Sequence, residues 1–311
     1  MIARRDRLDL PAMAILVVCC ASWGLQQVAI KVAIAGVSPV LQAGIRSIGA
    51  GVLIWLWMAV RRQPLFERDG TLWWGLAAGV AFAGEFALVY WGLTFTTASR
   101  TVIFLYTMPF FTAVGAHWLI PHERLSPPKI VGLCLAFAGV FLAFRDGLTG
   151  SADRMLAGDA MALGGAAMWA LTTIIVKASR LTAIAPAKTL FYQLAVSAVV
   201  LPVVAVFLGE SGVGRITPLI AASLLYQAVW VAFVTYLAWF WLIQHYPASR
   251  LAAFVFFTPL FGVLAGAALL NEPLTLSLLA ALSLVAAGIY LVNRKGRLHP
   301  APEGCQRPAD R

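Results

Sequence analysis

Two residues of opposite charge lie inside long apolar stretches of the sequence, Arg46 within residues 38–60 and Glu85 within residues 72–93. If these stretches cross a membrane, a rise of 1.5 Å per residue puts Glu85 ~10 Å and Arg46 ~12 Å below the same surface. A charge at that depth costs several kcal/mol unless it is paired or neutralised. We therefore predict that the two side chains form an ion pair or share a hydrated cavity. A substrate-binding site, a proton-linked site and a structural ion pair are the open interpretations.

Aromatic residues with polar neighbours form a second candidate set for substrate binding. Trp23 lies close to Gln26 and Gln27, and the rest of the set is Tyr90, Tyr106, Trp169, Thr172, Thr173, Tyr192, Tyr226 and Trp230. Polar groups in the middle of a membrane should face protein or water. An apolar, aromatic cavity with a few polar groups suits an amphipathic solute such as a large amino acid, and aromatic rings also attract organic cations. Plain packing is the alternative for each of these residues.

Two short motifs occur twice, at offsets of 146 and 150 residues in a chain of 311. The repeated positions are Trp23 and Lys31 with Trp169 and Lys177, and Arg100 and Pro109 with Arg250 and Pro259. Two matches at nearly one offset, close to half the chain length, indicate an internal duplication. Small residues also repeat, because Gly132 and Gly139 correspond to Ala281 and Gly288 and predict close helix contacts between these spans or between protomers.

The repeated residues suggest gates and hinges. Lys31 and Lys177 end the first span of each half, where they either extend to the lipid headgroups or contribute to a gate. Pro109 and Pro259 each remove a helical hydrogen bond in mid-membrane, which predicts a hinge or site lining, with a passive kink as the alternative.

The residues before these prolines suggest a helix start. Ser99 and Ser249 are predicted N-caps of the helices that follow. Arg100 and Arg250 are expected to anchor those helix starts at the membrane surface, with a functional role as the alternative.

The composition is that of a polytopic membrane protein. It is 61% hydrophobic and 12% charged with a mean hydropathy of +0.86, whereas soluble domains carry about 25% charged residues. No basic stripe interleaved with aromatics accompanies the net charge of +10, so no nucleic-acid partner is expected. Zinc-protease, Walker A and nucleophile-elbow motifs are absent from the sequence, which predicts no enzyme activity, no catalytic residue, no metal and no cofactor.

Breaks in hydropathy predict an all-α membrane protein with ten transmembrane helices. The predicted spans are 10–32, 38–60, 72–93, 98–119, 128–145, 157–178, 187–208, 218–243, 248–270 and 275–293. The longest connection, 146–156, separates a first five-helix repeat over 10–145 from a second over 157–293, and 294–311 form a basic cytoplasmic tail. Because five is odd, the second repeat must be inverted in the membrane. Inverted repeats around a central cavity are typical of secondary transporters.

The distribution of Lys and Arg predicts the orientation. With both termini in the cytoplasm, 17 of the 23 Lys and Arg residues lie on the cytoplasmic side, five lie outside, and Arg46 lies within a span. This bias follows the positive-inside rule.

These motifs resemble those of the drug/metabolite transporter superfamily. The resemblance is carried by Trp-x7-Lys in the first helix of each half, by Ala-Ser-Arg-x8-Pro in the fourth, and by the loops His122-Glu123 and Asn271-Glu272-Pro273. The chain is similar to EamA-domain exporters, and its many aromatics resemble the YddG-type branch of aromatic amino-acid exporters. The resemblance implies export of amino acids or related metabolites across the bacterial inner membrane.

The predicted function is secondary export of aromatic or large neutral amino acids by alternating access. Glu85 is the candidate for proton coupling, and uncoupled export is the alternative. The rivals are an exporter of cationic drugs or quaternary amines, a lipid-modifying membrane enzyme, and a structural or receptor subunit. The expected partners are a small-molecule substrate and the lipid bilayer, and the sequence does not fix the oligomeric state.

Overall fold

The computed structural model describes residues 9–65, 67, 69–119, 126–147, 152–246, 251, 254–255 and 257–293. Its elements are α-helices with one 3₁₀-helix (Arg180–Ala183) and one π-helix (Tyr226–Thr235). The α-helices of the first half are α1 (Leu10–Ile34), α2 (Pro39–Val60), α3 (Leu72–Gly92), α4 (Ala98–Leu105), α5 (Met108–Leu119) and α6 (Pro127–Gly147). Those of the second half are α7 (Ala152–Ala178), α8 (Pro186–Phe207), α9 (Pro218–Leu225), α10 (Tyr236–His245), α11 (Phe257–Leu270) and α12 (Leu276–Asn293).

These helices confirm the predicted all-α membrane fold. Within the described residues, seven segments are long and apolar enough to cross a membrane, and three shorter apolar helices coincide with the fifth, ninth and tenth predicted spans. The predicted connection at 146–156 is too long, because α6 continues to Gly147 and α7 already begins at Ala152. Both helices therefore extend past the apolar stretches from which the connection was predicted.

The fourth span is interrupted in mid-membrane just before Pro109. Helix α4 ends at Leu105, and α5 begins at Met108. Pro109 has no N–H to continue the ladder, so it is tolerated in the first turn of a new helix. The turn between the helices is closed by bonds from Thr107 N–H to the Phe104 carbonyl (3.1 Å) and from Phe110 N–H to the Thr107 carbonyl (2.9 Å). Pro259 lies within α11, and the described residues 251, 254 and 255 before this helix are helical as well.

The largest helix contacts join the two halves. Helix α6 packs on α12, α2 on α8, α3 on α7 and α8, and α1 on α11. Along the α6/α12 contact Gly132 lies against Gly288 and Gly139 against Ala281, so the two helices run antiparallel. Each glycine of α6 therefore contacts the repeat counterpart of the other, because Gly288 corresponds to Gly139 and Ala281 corresponds to Gly132. The predicted close contact of these small residues is therefore confirmed, and it lies between these two spans.

The helix ends define two faces of the bundle. The Lys31 face carries the α1–α2, α3–α4 and α8–α9 connections and Glu272, and the Lys188 face carries the α2–α3 and α7–α8 connections. On the Lys31 face, Ser38 N–H donates to the Gly212 carbonyl (2.9 Å) and Gly214 N–H donates to the Gly36 carbonyl (2.8 Å). These bonds join a connection of the first half to one of the second.

Both faces also carry ionic ties between the halves. On the Lys31 face, the Glu210 carboxylate accepts from the N–H groups of Val40 (2.9 Å) and Leu41 (3.0 Å), and so caps the start of α2. On the Lys188 face, Lys188 Nζ lies 2.8 Å from Asp69 Oδ2. The Lys188 hydrogen bond, with bonds from Thr71, holds the pKa of Asp69 below its ordinary value.

We predict that Gly139→Ala lowers the melting temperature and that Gly51→Ala does not. A Cβ on Gly139 would lie 2.9 Å from the Ala281 carbonyl oxygen, whereas one on Gly51 would meet only Leu194 Cβ, at 3.7 Å. Both changes gain up to about 1 kcal/mol of helix propensity, but overpacking at Gly139 costs about 1–3 kcal/mol. Thermal unfolding of the two variants in detergent measures the difference. Equal melting temperatures would contradict the tight α6/α12 contact.

We predict that Asp69→Asn destabilises the protein at pH 7 and that the difference shrinks in acid. Because the folded state lowers the pKa of Asp69, its stabilisation is fully present above the ordinary value of about 3.9 and decreases as the pH falls further. Melting temperatures of wild type and variant at pH 7 and at about pH 3 test this sign. The exposed neighbour Glu67→Gln is the control, and a gap that widens in acid would refute the assignment.

Candidate functional site

A buried arginine lies in the middle of the first half's second helix. Arg46 is fully buried, and its guanidinium carbon lies 4.2 Å from the centre of the Phe86 ring and 5.9 Å from that of Tyr236. Nη2 donates to the Tyr236 hydroxyl over 3.2 Å, and Nε and Nη1 have no hydrogen-bond partner. A buried charge with unused donors is costly, so these donors mark a place where another group should bind.

Glu85 lies at the same depth on α3. Arg46 is the eighth residue of α2 and Glu85 the eighth from the end of α3, counted from the same face. The Glu85 side chain is buried, and its Oε2 has no hydrogen-bond partner. The two side chains are close enough to interact electrostatically, and their helices α2 and α3 pack against each other. Among the described residues, however, the ion pairs within 4 Å are Arg100–Asp159 and Lys188–Asp69, so Glu85 and Arg46 do not form the direct pair that was one of the predicted arrangements.

Two buried glutamines continue this polar centre towards the Lys31 face. The Tyr90 hydroxyl donates to Gln227 Oε1 over 2.8 Å, and Gln42 Nε2 donates to the same oxygen over 3.1 Å. Gln42 Oε1 and Gln227 Nε2 are left without partners, although both residues are fully buried. The polar centre therefore contains one acceptor and one donor without hydrogen-bond partners, in addition to the unpartnered atoms of Arg46 and Glu85.

Gln227 is placed by the π-helix, which extends over Tyr226–Thr235 between α9 and α10. π-helical turns are rare and occur often at functional sites. Its counterpart in the first half, α3, is a regular α-helix, so the two halves differ at this point. Side-chain bonds join the π-helix to α1, from Trp23 Nε1 to Thr235 Oγ1 (2.9 Å) and from Trp230 Nε1 to Ser22 Oγ (2.8 Å).

Other predicted residues surround the break between α4 and α5. Tyr106 is buried in that break, and its ring packs edge-on against Trp169 with ring centres 5.6 Å apart. Thr258 Oγ1 and Gln27 Oε1 are buried nearby in the bundle without partners. The predicted members Thr172 and Thr173 donate instead to carbonyls of their own helix, over 3.1 and 3.0 Å.

The remaining predicted residues lie apart from the polar centre or hold other elements in place. The Tyr192 hydroxyl lies 3.4 Å from Thr71 Oγ1 near the Lys188 face. Tyr226 donates to the Ser22 carbonyl over 2.8 Å. Gln26 is the exception, because it is buried on α1 with its side chain beside Tyr90 of the polar centre. Lys31 Nζ donates to the Thr96 carbonyl over 2.7 Å. Lys177, its counterpart in the repeat, is exposed.

A pocket of about 470 Å³ opens at the Lys188 face. Its lining includes Glu67, Asp69, Arg180 and Lys188, none of which belongs to the predicted substrate site. No group of three or more possible metal ligands occurs among the described residues.

Arg100 is not a surface anchor, and this prediction was wrong. It is buried in an ion pair with Asp159 of α7, to which Arg100 Nε donates over 3.1 Å, and its Nη2 also donates to the Ala143 carbonyl over 2.7 Å. Thr96 Oγ1 donates to the same carboxylate over 2.6 Å. The pair joins the halves at the Lys31 face. Its repeat counterpart Arg250 lies outside the described residues.

The predicted N-cap at Ser99 was also wrong. Thr97 is the N-cap of α4, and its side chain accepts from Arg100 N–H over 3.1 Å. Glu272, from the other half, accepts from the N–H groups of Ala98 (2.7 Å) and Ser99 (2.9 Å) and from Ser99 Oγ (2.6 Å). A carboxylate is favourable at a helix N-terminus, so Glu272 takes over the capping role. Ser249 lies outside the described residues.

Sequence reasoning left five central residues out of the candidate set, namely Gln42, Phe86, Gln227, Tyr236 and Thr258. Gln42 had a usable signal, because it lies four residues before Arg46 and so on the same face of α2. Tyr236 and Thr258 had none, since their approach to the centre depends on how the helices pack.

The chain matches the model of the EamA-like transporter family over residues 10–145 and 156–294. It is 31% identical to the uncharacterized transporter YvbV of Bacillus subtilis, and the match covers 90% of each protein. It is 30% identical to a probable amino-acid metabolite efflux pump of Salmonella typhimurium, over 90% of this chain and 93% of that protein. A crystal structure at 18% identity superposes with a TM-score of 0.64, over 90% of this chain and 96% of the other, and so shares the fold.

We predict that Arg100→Gln and Asp159→Asn each destabilise the protein by about 3–5 kcal/mol, because each leaves a buried charge unpaired. The double variant Arg100→Gln/Asp159→Asn should lose less than the sum of the two. Thr96→Val, which removes one neutral donor from the same carboxylate, is the control with a smaller expected loss. Unfolding in detergent measures all four, and additive losses would contradict the pairing.

Proposed function

The chain belongs to the EamA-like transporter family, and from this premise we propose that it exports amino acids, with aromatic and large neutral ones preferred. It is a multi-pass membrane transporter and not an enzyme. We also propose that export proceeds by alternating access, in the manner of the YddG-type branch. The probable amino-acid metabolite efflux pumps among its relatives, from Salmonella typhimurium and Escherichia coli, support amino-acid export.

One observation carries the proposal, namely the buried and unpartnered polar atoms of Arg46 and Glu85. An intramembrane ionisable residue points to a functional site, since hydrocarbon gives it no solvent. Two buried residues of opposite charge at the same depth suit a solute that carries both a positive and a negative charge. The aromatic rings of Phe86 and Tyr236 lie against the guanidinium and supply the apolar wall that a large side chain needs.

The rival function, export of cationic drugs, fits the centre less well. An organic cation that pairs with Glu85 would enter a site in which Arg46 already has a buried positive charge and unused donors. Like charges at short range in a poorly solvated site repel each other strongly. The repulsion therefore favours a ligand with a carboxylate over one without it.

Alternating access would use the ties at the two faces. In the proposed cycle the five-helix repeats 10–145 and 157–293 move relative to one another. The bonds of Glu210 and Glu272 and the Arg100–Asp159 pair break when the Lys31 face opens, and the Lys188–Asp69 pair breaks when the other face opens. The interrupted helix before Pro109 and the helix that contains Pro259 are the proposed hinges. Following the positive-inside rule, we propose that the Lys188 face and both termini are cytoplasmic.

We predict that proteoliposomes containing the purified protein exchange radiolabelled L-phenylalanine or L-tryptophan faster than empty liposomes. The same vesicles should not accumulate tetraphenylphosphonium above the level that empty liposomes take up. The panel includes L-threonine, and each measurement is made with and without a pH gradient, so that proton coupling is scored separately from substrate choice.

Accumulation of the organic cation without amino-acid exchange would support the rival and overturn the proposal. Absence of flux for every solute, from protein that remains monodisperse and folded, would also count against amino-acid export. Exchange that does not depend on the pH gradient would rule out proton coupling and leave the substrate assignment intact.

A further inference from the structure

We propose that Arg46 and Glu85 bind the two charges of one zwitterionic α-amino acid, the carboxylate at Arg46 and the ammonium group at Glu85. The inference rests on the proposed function and deepens it, because it assigns a residue to each end of the solute. It requires that a substrate carry both a free carboxylate and a free ammonium group.

The Arg46 end is built for an anion. Its guanidinium is fully buried, it makes one hydrogen bond to a neutral hydroxyl, and two of its nitrogens have no acceptor. Arginine matches the planar, two-oxygen geometry of a carboxylate better than any other side chain. The Phe86 ring covers one side of the guanidinium plane at 4.2 Å, which restricts a ligand to the remaining directions.

The Glu85 end is built for a cation. Its Oε2 is buried and accepts no hydrogen bond, so it can receive an N–H of an ammonium group. Gln42 Oε1 is a further buried acceptor without a partner in the same polar centre. Gln227 Nε2 is a free donor there and is suited to a ligand oxygen. Free donors and free acceptors therefore both occur in one place, as a ligand with two unlike ends requires.

The balance of charge explains why both ends are needed. Arg46 and Glu85 together add no net charge, and neither does a zwitterion, so the occupied site places no uncompensated charge in the membrane. A ligand with only one charge pairs one residue and leaves the other buried with no partner. Leaving a buried charge unpaired is strongly unfavourable, and this penalty rejects amines and simple carboxylates.

The wild-type protein tests the inference directly. Inhibition of labelled L-phenylalanine exchange is compared for L-phenylalanine, phenethylamine, 3-phenylpropionate and L-phenylalaninamide, which share one aromatic ring and differ in charge. We expect unlabelled L-phenylalanine to inhibit at concentrations at least about tenfold lower than the other three, since each of them lacks one charge-assisted contact. Equal inhibition by the amine or the carboxylate would overturn the inference.

Charge-removing variants identify which residue reads which end. Glu85→Gln should weaken inhibition by L-phenylalanine about tenfold or more, so that 3-phenylpropionate inhibits equally well. Arg46→Gln should likewise weaken inhibition by L-phenylalanine, so that phenethylamine inhibits equally well. Arg61→Gln and Glu67→Gln, which remove charges from exposed positions, are the matched controls and should keep the wild-type order of inhibitors.

The outcomes separate this inference from the proposed function. Wild-type protein that exchanges L-phenylalanine but does not distinguish the four inhibitors refutes the zwitterion site and leaves amino-acid export standing. Variants that lose stability but keep the inhibitor order show that water alone satisfies Arg46 and Glu85, which also refutes it. If Arg46→Gln does not fold, Arg46→Lys and the wild-type inhibitor panel still decide the question.

Discussion

Hydrocarbon offers no hydrogen bonds, so every polar group inside this bundle must find its partner within the protein or in a ligand. Several buried side chains find theirs across the boundary between the halves. Glu210 and Glu272 each cap a helix start of the opposite half, and Asp159 pairs with Arg100 of the opposite half. Arg46 and Glu85 differ from these, since both are buried with polar atoms that have no hydrogen-bond partner. The functional argument starts from that contrast between satisfied and unsatisfied buried charges.

The two halves are similar in packing and different in detail, and the differences lie near the polar centre. The α6/α12 contact is made of matching small residues on both sides. The eighth span, in contrast, contains a π-helix that its counterpart α3 lacks. This local irregularity makes the centre itself asymmetric, as a ligand with unlike ends would need.

The depth of a residue in the membrane could be predicted from the sequence, whereas the direction in which its side chain points around the helix axis could not. The hydropathy pattern placed all ten spans, and counting residues put Arg46 and Glu85 at one level, which the helices reproduce. Tyr236 shows what counting misses, because its hydrogen bond to Arg46 depends on how its helix packs against α2. Arg100 was mistaken for a surface anchor because its partner, Asp159, is 59 residues away in the chain. The π-helix has no sequence signature that periodicity can detect.

The most direct test is a cryo-electron microscopy structure of the protein in a lipid nanodisc with L-tryptophan bound. The account predicts ligand density between α2, α3 and the π-helix. In it the carboxylate lies within hydrogen-bond distance, about 3 Å, of Arg46 and the ammonium group at the same distance from Glu85. Density at another place, or a direct Arg46–Glu85 ion pair with only water beside it, would contradict the account.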